Sequence, residues 1–280
     1  MRRFILGGNW KMQITRLGEA ERIAENIAAA IENVSSVEVF IAPSFNALNS
    51  VGLTITKTKL KLAGQNMHYH EKGAFTGEIS VLSLIEAGCE YVILGHSERR
   101  RIFGEKDDTI NQKVLLAINH GLKPVLCIGE TAEERANGRT AEVNQSQLAG
   151  SLRNVSAQQL QNVIIAYEPV WAIDNKFLNP NIEIKPATPE QASEAHMIVR
   201  DWIRKHYGQE SAANIPIIYG GSMKEKNATE LLTIEDIDGG LVGGASLSAE
   251  AFVPIIRSAE KLAKGEDKFE WDSNTLRFNE

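Results

Sequence analysis

Short apolar runs recur along nearly the whole chain, at Arg3–Gly7, Val37–Ala42, Lys59–Gly64, Tyr91–Gly95, Pro124–Ile128, Val163–Tyr167, Ile215–Tyr219 and Gly240–Val242. Most are rich in Val, Ile and Leu and lack strict polar alternation, the pattern of parallel strands covered on both faces. Amphipathic stretches separate them. Ile23, Ile27 and Ile31 repeat every fourth residue, with Glu19, Glu25 and Glu32 off that face. Ile110, Val114, Leu115 and Ile118 form a second stripe, stopped by Gly121. Thr188-Pro189-Glu190 reads as a cap followed by proline at the first helical position, leading into Val199, Trp202 and Ile203. A last helix is predicted over Ala249–Lys264, with Phe252, Ile255, Ile256 and Leu262 on its apolar side.

Eight strand-plus-helix units in alternation predict a parallel sheet with right-handed crossovers. Eight is also the number that closes into a (β/α)8 TIM barrel, the α/β architecture we expect here as a single domain. An open doubly wound sheet would more naturally carry a glycine-rich nucleotide fingerprint after the first strand, and none is present. The barrel is expected to span residues 1–264. Residues Asp174–Ile184 interrupt the rhythm as a long insertion after the sixth strand. Residues 265–280 form a polar, acidic C-terminal extension that carries Phe269, Trp271 and Phe278.

Composition narrows the functional classes. Of 280 residues, 43% are hydrophobic and 24% charged, an ordinary globular mix able to bury a core without staples. A net charge of −6 argues against a nucleic-acid partner, because phosphate-backbone binding requires a dense basic face. No stretch approaches the roughly 20 apolar residues that span a bilayer, and Phe4–Leu6 is too short for a signal peptide. Two cysteines, Cys89 and Cys127, sit in apolar surroundings and read as reduced packing thiols of a cytoplasmic protein.

A barrel of this kind gathers its chemistry at the C-terminal ends of the strands. Those ends read Asn9-Trp10-Lys11, His96-Ser97-Glu98, Glu168, Gly220-Gly221-Ser222 and Gly243-Gly244. They supply a lysine, an imidazole, an isolated carboxylate and glycine turns whose N–H groups suit an anion. Metal-ligand spacing is absent, and no Ser or Cys nucleophile has an evident base. Proton abstraction beside a carbonyl, with a phosphate held as a handle, is the chemistry this set suggests.

Six segments then carry a specific resemblance. Gly8-Asn9-Trp10-Lys11, Gly73–Glu78, Leu94–Arg100, Ala166–Ile173, Tyr219–Ser222 and Leu241–Leu247 resemble, in order, segments of the triosephosphate isomerase family. The resemblance runs from about Phe4 to Lys264, apart from the insertion. It implies proton shuttling by Glu168 between adjacent carbons of dihydroxyacetone phosphate and glyceraldehyde 3-phosphate. It implies a neutral His96 polarising substrate oxygens, an assignment for which this family is itself a standard example. Lys11 would supply positive charge, Asn9 would orient substrate, and Glu98 would complete the catalytic set beside Lys11. Ser222, Gly243 and Gly244 would hold the phosphate. Ser97 would hold Glu168 in an open state, and Ile173 and Leu241 would clamp it after closure. Tyr219 and Ala187 belong to the lid's supports. Thr76 would cross to the Asn9 and Lys11 of a second copy in a homodimer. No cofactor is implied, because no electrons leave the substrate, and no metal.

The chain departs from that pattern at the lid. Asp174 stands where a glycine N–H would meet the phosphate, and the insertion is longer than the family's lid. The hinge reads Lys185-Pro186-Ala187, and proline fixes one of its rotations. An alternative is therefore a non-catalytic relative that binds a phosphorylated ligand or a protein through a modified lid. A different phosphosugar aldose–ketose isomerase is a third reading. Outside this set, His68-Tyr69-His70 reads as a surface-loop pair of histidines, and Glu130 and Arg99 as structural charges near the site.

Overall fold

A computed structural model describes residues 4–173, 175, 177–179 and 185–266. Asp174, most of the lid insertion, Pro180–Ile184 included, and the extension beyond Glu266 lie outside the described residues. Eight strands appear in chain order: β1 Phe4–Asn9, β2 Val37–Ala42, β3 Lys61–Gly64, β4 Cys89–Leu94, β5 Lys123–Ile128, β6 Ile164–Tyr167, β7 Ile217–Tyr219 and β8 Gly239–Val242. Each runs parallel to its neighbour, and the sheet closes on itself. Leu6 of β1 pairs with Val39 of β2 on one side and with Gly240 of β8 on the other. The predicted (β/α)8 barrel is the fold.

The apolar runs conceal a period of two. Ile5, Phe40, Tyr91, Ile93, Val125, Cys127, Ile164, Ile218 and Leu241 point into the barrel and pack on one another. Phe4, Leu6, Val39, Ile41, Leu126 and Ile165 point outward and pack under the helices. Both faces are dry, so alternation between apolar and polar never appears in the sequence. Phe40 and Tyr91 stack at 4.8 Å between centroids.

Strand limits differ from the predicted ones where local bonds intervene. β7 begins at Ile217 because the Ile215 N–H is spent on Ser211 O of the preceding helix and Pro216 has none to offer. β3 begins after Leu60, whose N–H binds the Thr58 hydroxyl. β1 runs on to Asn9, carrying that side chain to the rim.

The helices follow their periodicity. Leu17–Ala30 buries Ala20, Ile23, Ala24, Ile27 and Ala28. Pro189–Tyr207 opens with a capping box, Thr188 to the Gln191 N–H and the Gln191 side chain back to Thr188. Ala249–Lys264 ends at Gly265 in the left-handed region, as a C-terminal glycine allows. Among the described residues, no helix is long and apolar enough to cross a membrane.

Candidate active site

The site at the rim of the barrel is assembled from five strand ends, those of β1, β4, β6, β7 and β8. Just past β1, Lys11 adopts φ +52°, a left-handed backbone that is uncommon for a side-chain-bearing residue. Its N–H binds Asn9 Oδ1 at 3.1 Å, and its carbonyl accepts from Gln65 Nε2 at 2.7 Å. Gln65 also donates to Ala42 O at 2.9 Å, so one amide ties the turn after β1 to the end of β2. The Lys11 ammonium meets Glu98 Oε1 at 2.9 Å.

Past β4, His96 caps the short Ser97–Arg101 helix, its Nδ1 accepting the Glu98 N–H at 3.3 Å. An amide N–H pointing at Nδ1 places a lone pair there, and the partners therefore assign the proton of a neutral ring to Nε2. Glu98 Oε2 stands 3.6 Å from the same nitrogen, beyond hydrogen-bond reach, so it does not decide the tautomer. His96 Nε2 lies 2.8 Å from Glu168 Oε1. The second oxygen of Glu168 accepts the Ser97 N–H at 2.8 Å. The resemblance gave Ser97 the task of holding Glu168, and the backbone amide carries it out; the buried Ser97 hydroxyl makes no hydrogen bond.

Glu168 is 2% exposed. Two glycines make its position possible. A Cβ on Gly129 would overlap the Glu168 carbonyl oxygen, and one on Gly220 would stand 2.7 Å from Glu168 Cγ. Cys127 lies beneath, fully buried. Desolvation first, then the Glu168 charge, pushes its thiol well up, which agrees with a packing role and leaves no thiolate.

These groups border an open cavity of about 580 Å³ lined by Asn9, Lys11, His96 and Glu168. Ser222, Gly243 and Gly244 line it as well. A Cβ added at Gly244 would meet nothing within 4 Å beyond its chain neighbours, and one at Gly243 would meet only Lys11 Cε, at 3.8 Å. Ile173 and Leu241, both buried, form an apolar border next to the carboxylate. Tyr219 is buried, and its hydroxyl lies beside the Ala187 backbone without a hydrogen bond of good geometry. Thr76 is exposed on the long loop after β3, away from this cavity within one chain.

Further residues support the site, some read from the sequence and some missed. Glu130, read as a structural charge, is completely buried and accepts from Tyr167 Oη and Trp171 Nε1, each at 3.0 Å, and from Asn144 and Arg135. It anchors the turn that follows Glu168. Arg99 packs against Glu105, as a structural charge should. Gln65 and Gly129 gave no signal, since their partners are distant in sequence. His68 corrects an expectation: it is buried, not on the surface. Its ring stacks on Tyr69 and packs against Phe75 at 4.1 Å, and Nδ1 accepts the His70 N–H at 3.1 Å. Burial lowers its pKa. Among the described residues, no three His, Cys, Asp or Glu side chains gather as a metal site would need.

A buried carboxylate facing an imidazole, with an ammonium and bare glycine backbone lining the same cavity, defines an acid–base enzyme acting on a small anion. Comparison with known proteins sharpens that class. The family model described as triosephosphate isomerase matches residues 4–259. A triosephosphate isomerase of Chloroherpeton thalassium is 46% identical over 260 residues, 93% of this chain and 100% of that protein. One of Prosthecochloris aestuarii is 47% identical over 262 residues, again covering 93% and 100%. The crystal structure of triosephosphate isomerase from Bartonella henselae superimposes with a TM-score of 0.80 at 37% identity, covering 91% of this chain and 98% of that one. The chain belongs to the triosephosphate isomerase family.

Proposed function

We propose that this site interconverts dihydroxyacetone phosphate and D-glyceraldehyde 3-phosphate by proton transfer through an enediolate. The observation that carries the reading is the Glu168 carboxylate, buried and bordered by Ile173 and Leu241, with His96 Nε2 2.8 Å away. Glu168 removes a proton from the carbon beside the carbonyl, and the electron pair moves onto the carbonyl oxygen. The hydroxyl proton of the first carbon passes to the former carbonyl oxygen, the same carboxylic acid returns its proton to the adjacent carbon, and nothing is oxidised or reduced overall.

Each neighbour answers a physical need of that step. A carboxylate is a weak base towards carbon, and a dry environment strengthens it. The enediolate oxygens need preorganised donors, and His96 Nε2–H offers one without the cost of deprotonating a cation. Lys11 balances charge on the intermediate and phosphate, Asn9 orients the substrate, and Glu98 aims Lys11. Ser222, Gly243 and Gly244 receive the phosphate. Asp174, aligned with the phosphate position, lies outside the described residues. Supporting a catalytic reading over a binding-only relative, Asn9, Lys11, His96 and Glu168 are all present and convergent.

A coupled assay started with glyceraldehyde 3-phosphate tests the proposal. The protein should turn over, and Glu168→Asp, which withdraws the carboxylate by about 1 Å, should lower kcat on the order of 10²-fold. Undiminished turnover in that variant removes Glu168 from its role.

The working form is a homodimer in the cytoplasm. Its support is the exposed loop bearing Thr76, together with Met12 at 86% and Phe103 at 68% exposure, apolar surface that association would cover. Sedimentation at the mass of one chain would overturn the pairing.

A further inference from the structure

We propose that Asn175, in the segment that replaces the family's short lid tip, is a positioning residue that keeps hold of Glu98 when Lys11 turns to the substrate. The inference rests on the isomerase reading above and adds a residue to it.

Glu98 Oε1 accepts two donors at once, Lys11 Nζ at 2.9 Å and Asn175 Nδ2 at 2.7 Å. The orientation of the Asn175 amide is fixed independently, because its Oδ1 accepts the Phe177 N–H at 2.8 Å and leaves Nδ2 to face Glu98. The backbone of Asn175 is tied as well. Its N–H binds Ile173 O at 2.8 Å, and its carbonyl accepts from Leu178 at 3.1 Å and Asn179 at 2.9 Å. Asn179 is buried and its Nδ2 donates to Val170 O at 2.8 Å and Ile173 O at 3.0 Å. The start of the segment is thus stitched to the turn after Glu168, and from that anchorage one side chain crosses to Glu98, just past β4.

The crossing resolves a conflict of charge. Lys11 is needed both by Glu98 and by an anionic substrate. With 20% of its side-chain surface exposed, Glu98 is partly shielded from water, so withdrawing the ammonium leaves a carboxylate poorly compensated. A neutral amide that stays on Oε1 reduces that cost and adds no charge to attract or repel the phosphate. The carboxyl of Glu98 is already held below its ordinary range. Burial opposes this, and His96, Lys11 and the hydrogen bonds from Lys11 and Asn175 outweigh it. Lys11 and His96 are the ionisable groups that face it.

The test compares Asn175→Ala and Asn175→Asp in the full chain, each with native Glu98 and with Glu98→Gln. Asn175→Ala should raise KM for the triose phosphate about tenfold, with a smaller fall in kcat. Asn175→Asp should be worse, because it sets a second carboxylate against the first. With Glu98→Gln in place, the Ala substitution should cost less than about twofold, since the charge it compensates is gone. Equal losses in both backgrounds, or equal effects of Ala and Asp, would indicate a loosened segment and overturn the proposal. A parent protein without isomerase activity would defeat the isomerase reading alone. In that case the titration of the Glu98 carboxyl, followed by carbon NMR, still decides: a midpoint raised by Asn175→Ala supports the contact, and an unchanged one overturns it.

Discussion

The same eight strands end in two different ways. At their C-terminal ends, polar side chains face a cavity with bonding capacity to spare. At their N-terminal ends, charges are tied into closed networks. Asp238, just before β8, accepts the Ile217 N–H at 2.9 Å and Arg200 Nη2 at 2.6 Å, while its own N–H and carbonyl bond β7 and β1. Arg200 spends its remaining donors on Asp236 and Ala212 O. Glu260 likewise accepts the Ser35 and Ser36 N–H groups, at 3.1 and 2.9 Å, just ahead of β2. One end secures the barrel and the other end uses it. Buried charge is therefore no sign of function by itself: Asp238 and Glu168 are both shielded carboxylates at a strand end and each borders a cavity, but Asp238 is tied to an arginine and a strand amide while Glu168 faces an imidazole.

That division can be broken from either side. His96→Gln should lower kcat by about 10²–10³-fold, as loss of an oxyanion donor does, with melting within a few degrees of the parent. Comparable damage to both would mean that the upper rim also holds the barrel shut. Asp238→Ala should do the converse, leaving Arg200 and the Ile217 N–H uncompensated at a cost of about 3 kcal/mol and lowering Tm by roughly 6–12 °C. Differential scanning calorimetry reads that fall, and kcat/KM at 25 °C should stay within about twofold. The smallest effect concerns Glu260. Burial opposes its charged form, but Lys264 and the two serine amides outweigh burial and hold its pKa below the unfolded value of 4.5. A depressed carboxylate stabilises at pH above that value, and the contribution disappears as pH falls through the folded pKa. Glu260→Gln should cost about 1 kcal/mol at pH 7 in urea unfolding, and the gap should close as pH falls below 4.5 and through the folded pKa. A gap that persists there would assign the effect to packing.

How much of this was written locally decides how much was legible. Thr188 with Pro189 and Gln191 announces its helix because cap, proline and reciprocal acceptor lie within four residues. The barrel followed from eight repeated runs, and Asn9, Lys11, His96 and Glu168 stood out once strand ends were read together. Gln65, by contrast, finds Lys11 across 54 positions, and Asn175 finds Glu98 across 77. Nothing in the neighbourhood of either residue encodes the partner. Gly129 looked like any strand-end glycine, although its missing side chain is what admits Glu168. His68 was misread because its burial comes from Phe75, brought over it by a loop turn.

Closure of the barrel also has a consequence in time. Leu6 lies between Val39 and Gly240, so one flank of the first strand finds its partner only when the last strand exists. At about 5–20 residues per second of synthesis, that flank waits on the order of 10–50 s. Throughout that interval a growing chain carries an apolar strand with a bare hydrogen-bonding edge, the kind of template on which chains aggregate. A ring without edges in the finished molecule is an open-ended ribbon while it is being made, and its exposure to misassembly is concentrated in the cell's production line, not in the mature protein.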